Sequence, residues 1–261
     1  MNSKFNKKFW ESQFFKAIMG FVSIALFWEF IPIIFKIQPT IFPTFTDVVE
    51  AVLENFSLIN KHIIETLEET IVAFFIGLFF ASFLAILMEE WKWFEKLFLY
   101  PTIAFQNIPK VALAPLLVIW FSHGMGPKIA MGALIAFFPI FENFRNGLKE
   151  NSTQLRSTLN ILGSKNRWLL LWKIKLPEAI PNIVVGLKIG ITYSIIGVIV
   201  GELAQPSSGL GFLISQANED FKTDLQFGSV LIVSLLGLIL YGIVWIITSL
   251  PIFNKYEKTN A

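Results

Sequence analysis

The sequence predicts an all-α, polytopic membrane protein, a six-helix bundle. Two observations predict it. Of 261 residues, 54% are hydrophobic and 15% charged, where a water-soluble domain carries about 25% charged residues. The apolar residues also fall in long runs, and Gly228 to Phe253 contains no charge at all. A bilayer core of about 30 Å takes about 20 residues of helix, the form in which backbone N–H and C=O groups satisfy one another without water.

Six segments meet or approach that length: Ala17 to Ile37, Thr66 to Met88, Leu97 to Phe121, Ile129 to Phe144, Ile183 to Leu203 and Gly228 to Phe253. The first is full length and followed by Gln38-Pro39, without the short apolar core and small-residue cleavage site of a signal peptide, so it reads as a retained span. The fourth is a short run bracketed by Lys128 and Glu142. The organisation is then a terminal segment 1–16, a membrane domain 17–253 with one long loop at 149–181, and a tail 254–261.

Orientation follows from the positive-inside rule. Lys4, Lys7, Lys8 and Lys16 precede the first span, Lys92 and Lys96 separate the second from the third, and Lys255 and Lys258 follow the sixth. The loop after the fourth span adds Arg145, Lys149, Arg156, Lys165, Arg167, Lys173 and Lys175. The opposite side holds Lys36, Lys61, Lys128 and Lys222 beside Asp47, Glu50, Glu54, Glu219, Asp220 and Asp224. Both termini are expected in the cytoplasm of a prokaryotic cell, and Gln38 to Glu65 outside, where Thr46-Asp47 can cap a short amphipathic helix through Phe56.

Composition closes several functions. A net charge of +2 with basic residues distributed by topology argues against nucleic-acid binding. The absence of cysteine excludes disulfides and thiolate chemistry, and His62 and His123 alone do not make a histidine-rich metal centre. No catalytic constellation and no metal site is expected: there is no Gly-x-Ser-x-Gly elbow, His-Glu-x-x-His pair or paired-carboxylate site within one span. No phosphate-binding Gly-x-x-x-x-Gly-Lys-Ser/Thr run occurs either, so energy from nucleotide must come from another polypeptide.

The loop from Lys149 to Pro181 is far longer than a helix-to-helix connection needs. Asn151 with Gln154 makes a capping-box-like start to a helix carrying Leu155, Leu159 and Leu162, and Gly163 stops it. Ser164 can cap a second helix from Lys165 to about Ile174, which Leu176-Pro177 is expected to end. From this pattern alone, an interfacial amphipathic hairpin anchored by Trp168, Trp172 and lysines is an equal alternative.

Gly163 followed by Ile174-Lys175-Leu176-Pro177 resembles the cytoplasmic loop of the permease subunits of ATP-binding-cassette importers. Ser157-Thr158-Leu159 stands where that family has Glu-Ala-Ala, removing one acidic contact. Asn107 to Leu116, then Trp120-Phe121, Gly126 and Lys128, resembles the nitrate, sulfonate and taurine branch, as do Phe42-Pro43 with Asp47-Val48-Val49, Leu176-Pro177-x-Ala179-x-Pro181 and Gly201-Glu202. His123 replaces a more usual aromatic. The resemblance implies cytoplasmic coupling helices in which Ser157, Thr158, Leu159, Gly163, Ile174, Leu176 and Pro177 meet an ATPase. It further implies two copies of this chain forming the pathway, two cytoplasmic ATPase subunits that hold ATP and magnesium, and an extracytoplasmic substrate-binding protein. No cofactor is expected on this chain.

Polar residues within a span are costly and usually face a cavity or another helix. Gln106, Asn107 and Lys110, beside Pro109 and Pro115, are therefore pathway candidates, the alternative for Lys110 being snorkelling or pairing within the bundle. Glu202 either gates the pathway or is an interfacial carboxylate, and Glu29 and Glu142 read as solvated helix ends. Gly186, Gly190, Ser194, Gly197 and Gly201 share one helical face; packing within one subunit is expected before a dimer seam. The competing function is an ion-gradient-driven secondary transporter or channel, although no internal repeat is visible.

Overall fold

A computed structural model describes residues 3–150, 167–205 and 207–250. These residues are almost entirely helical: α1 Ser3–Ile34, α2 Phe45–Glu54, α3 Phe56–Glu90, α4 Lys92–Gln106, a 3-10 turn Lys110–Leu113, α5 Ala114–Phe121, α6 Met125–Glu150, α7 Leu176–Ala204, α8 Leu210–Glu219 and α9 Thr223–Thr248. Among them Phe56–Glu90, Met125–Lys149, Leu171–Ala204 and Thr223–Thr248 are long and apolar enough to span a bilayer, and α4 with Lys110–Phe121 qualifies as a pair. A further apolar stretch, Ile18–Ile34, lies in α1.

The chain forms two compact units, 3–60 with Leu213–Leu231 and 61–212 with 232–250. In the first unit, Trp28 meets Phe42, Phe45 and Phe227 at ring separations of 6.1, 5.7 and 5.8 Å, and its Nε1 donates to the Pro43 carbonyl at 3.1 Å. The N-cap of α2 is Thr44, two residues before the expected Thr46: Thr44 Oγ1 accepts the Asp47 N–H while the Asp47 carboxylate accepts that of Thr44. This reciprocal pair satisfies two donors that a Thr46 cap would leave open. Glu29, expected as a solvated end, accepts the Thr46 N–H at 2.9 Å.

In the second unit α3, α6 and α7 share an apolar core through Ala73, Ala133 and Val198, and α5 joins α6 through Ala114, Leu117, Met131 and Ile135. Small residues bring the backbones together. A Cβ on Gly197 would lie 2.6 Å from Gly132 Cα, and one on Gly201 would lie 2.7 Å from Lys128 Cα. At such separations main chain touches main chain, which lets dispersion act where lipid offers no hydrophobic gradient.

The third span, which Pro109 and Pro115 are expected to bend, is broken, its halves at 92°. Pro109 lacks an N–H and disfavours helical geometry at Ile108, so the helix stops at Gln106 and resumes as a 3-10 turn. Conversely, Leu176-Pro177 does not end a helix. An α turn at Arg167–Leu170 and a π turn at Leu171–Lys175 run directly into α7. Pro177 falls in the first turn of α7, where its missing N–H leaves the π-turned segment uninterrupted.

Candidate translocation and coupling site

At the break in the third span the backbone loses its helical partners and the side chains supply some. Asn107 Nδ2 donates to the Ile103 carbonyl at 2.9 Å, and Lys110 Nζ to the Gln106 carbonyl at 3.0 Å. The Lys110 ammonium also sits 4.6 Å from the Phe138 ring centre. Gln106 and Asn107 are exposed on this chain and Lys110 is half-buried. The break thus presents two amide side chains and a cation stabilised by a carbonyl and a ring face, neither of which neutralises it. His123 is exposed in the turn after α5, between Ser122 and Gly124, both at positive φ.

Glu202 lies elsewhere and is fully buried. His62, Thr66 and Glu69 occur at helical spacing on one face of α3, opposite the loop that starts α8. Gly209 N–H donates to His62 Nδ1 at 3.1 Å, Leu210 N–H to Thr66 Oγ1 at 2.8 Å, and Gly211 N–H to Glu202 Oε2 at 2.6 Å. The Thr66 hydroxyl in turn donates to Glu202 Oε1 at 2.7 Å. A helix start leaves its first N–H groups without internal partners, and here α3 and α7 supply acceptors. Gly209 is required: its φ is +99° and a Cβ would fall on the Glu202 carboxylate.

Beside this cap, Lys128 Nζ donates to Glu69 Oε1 at 3.0 Å, to the Ser208 carbonyl at 3.0 Å and to Ser208 Oγ at 3.1 Å. The ammonium therefore has three acceptors, the number it can use. By its position in the sequence Lys128 reads as a loop charge, and Glu69 draws no expectation. Glu69 stands beside Glu68 at the polar start of an apolar run, and its partner, 59 positions away, carries no sequence signal.

At the other end of α3, Glu89 meets Lys175 at 2.5 Å, both side chains nearly buried. Glu95 on α4 binds Arg145 at 3.3 Å and also Lys149, both on α6. Ile174 belongs to the π turn, and Leu176 and Pro177 open α7, all half-buried. Ser157, Thr158, Leu159 and Gly163 lie outside the described residues. Gly186, Gly190, Ser194, Gly197 and Gly201 are buried; the four glycines face α6, and Ser194 Oγ donates to the Thr70 carbonyl of α3 at 3.0 Å.

Apolar helices of spanning length, a broken span with polar residues at its break and buried ion pairs define a multi-pass membrane protein. Residues 73–252 match the family described as binding-protein-dependent transport system inner membrane component. The chain belongs to that family, the permeases of ATP-binding-cassette transporters of the prokaryotic inner membrane. It is 33% identical to a probable ABC transporter permease protein of Haemophilus influenzae, over 86% of this chain and 91% of that one. It is 29% identical to the formylaminopyrimidine transport permease protein ThiX of Halalkalibacterium halodurans, over 87% and 90%. With the putative aliphatic sulfonates transport permease protein SsuC of Bacillus subtilis it shares 27% identity, over 82% and 78%.

Proposed function

We propose that this chain is the solute-conducting subunit of an ATP-driven importer, in which ATP and magnesium are held by separate cytoplasmic ATPase subunits. Two copies enclose the pathway and an extracytoplasmic binding protein delivers a small solute. The relatives' names suggest an aliphatic sulfonate, taurine or a formylaminopyrimidine as the solute class, and the resemblance of the sequence to the nitrate, sulfonate and taurine branch adds nitrate. Both termini and the 149–181 loop face the ATPase subunits, which engage Ser157, Thr158, Leu159, Gly163, Ile174, Leu176 and Pro177.

The observation that carries the reading is the 92° break in the third span. Irregular backbone with exposed amides and a cation is stable at membrane depth only against protein or a watery cavity. A pathway formed with a second copy supplies both, and places Gln106, Asn107 and Lys110 against the passing solute. Alternating access follows if ATP-driven closure of the ATPase dimer moves the loop and, through it, the spans; such a shift needs contacts that differ between two states.

The test is reconstitution of the chain with its ATPase subunits and binding protein in liposomes. ATP-dependent solute uptake is the expected result. Uptake by the chain alone, without a nucleotide-hydrolysing partner, overturns the proposal.

A further inference from the structure

Helix α7 is bonded to α3 at both of its own ends. At one end Glu89 of α3 holds Lys175, the last residue before α7, at 2.5 Å with both side chains nearly buried. At the other, Thr66 of α3 donates to Glu202 in the last turn of α7 at 2.7 Å. Between them, Ser194 of α7 donates to the Thr70 carbonyl of α3 at 3.0 Å. The two joints lie 23 residues apart along α3, about 35 Å of helix. Lys175 also occupies a distinctive place in the chain: it closes the π turn that continues the 149–181 loop into α7 without a break.

We propose that Glu89 and Lys175 form the joint through which displacement of the loop reaches α3, so that α3 and α7 move as one body during transport. This rests on the proposed coupling to a separate ATPase. Without the joint, a push on the loop would enter α7 with no polar link to α3 at this end, and α3 would follow only through apolar contacts and the distant Thr66–Glu202 and Ser194–Thr70 hydrogen bonds. A buried ion pair resists sliding here, because separating its charges leaves each without a partner in a medium that solvates it poorly. The pair is therefore a positioning element and touches no solute.

Two measurements on the full complex in liposomes test it. In the first, E89K and K175E are compared with the doubly swapped E89K/K175E. The single variants are expected to keep ATP hydrolysis while the ratio of solute moved to ATP hydrolysed falls at least fivefold, and the swap is expected to restore it to within twofold of wild type. The second uses the absence of native cysteine. The variant E89C/K175C is bridged by a bifunctional thiol reagent long enough to span the pair. If the residues stay together throughout the cycle, the bridged complex keeps at least half its uptake. Arrest of uptake by the bridge, or single variants that couple as wild type does, overturns the joint. Should single variants fail to assemble, the bridged form alone decides. If the wild-type complex moves no solute with ATP, the functional reading itself falls, and the joint with it.

Discussion

Lys128 and Glu69 face each other at 3.0 Å, each with a side-chain exposure of 1%. Two charges so placed have given up water, and their attraction offsets that loss only while both remain. Truncating one leaves the other buried and unpaired. Lys128→Met is therefore expected to lower stability by about 3–5 kcal/mol, read as a fall in the detergent-solubilised unfolding midpoint. The double variant K128M/E69L is expected to recover most of it. A single variant as stable as wild type would show that the pair contributes nothing.

Glu202 is another buried carboxylate and uses both oxygens, one for Thr66 and one for the Gly211 N–H. In Glu202→Gln one of those positions becomes an NH2 that cannot accept. The expected cost is about 1–3 kcal/mol for the stranded donor, together with faster proteolysis between Gln205 and Gly211. Unchanged cleavage of this loop would argue that Glu202 does not hold the start of α8.

The glycine stripe gives a graded test. Gly197→Ala places a methyl 2.6 Å from Gly132 Cα and 2.8 Å from the Met131 carbonyl oxygen, an overpacking that costs about 1–3 kcal/mol. Gly242→Ala has open space and should stabilise its helix by up to about 1 kcal/mol. Opposite shifts in the unfolding midpoint are the expected outcome, and equal shifts would remove the backbone contact as the explanation.

Lys110 offers a functional test with little structural cost, since it is half-buried and held by one carbonyl and one ring face. If its ammonium contributes a contact of about 1.4 kcal/mol to the passing solute, Lys110→Met lowers uptake about tenfold. ATP hydrolysis by the complex should persist. Uptake at the wild-type rate would place Lys110 outside the pathway.

Much of this architecture is legible in sequence because insertion into lipid imposes a simple pattern. The uncharged run from Gly228 and the apolar runs around Thr66–Met88 and Ile183–Leu203 announce α9, α3 and α7. Pro109 announces a disturbance, but its angle depends on what packs around the break. The buried polar clusters are illegible for a different reason. Thr66 and Glu202 stand 136 positions apart, and a charge near the end of a span looks the same whether it meets water or a partner from another helix. Lys128 misleads in this way. Leu176-Pro177 misleads locally: a proline that usually closes a helix here sits at the start of one, behind a π turn that no periodicity reveals.

The main-chain contact of Gly197 with Gly132, and of Gly201 with Lys128, restricts how α6 and α7 can travel. Side chains that interdigitate can swap rotamers and allow a creeping shift, whereas two ridges of peptide cannot. The helices behave as a toothed rack, in which the next equivalent seat is one turn away, about 5.4 Å. Any gating motion that engages this pair must either leave them meshed or jump a full tooth.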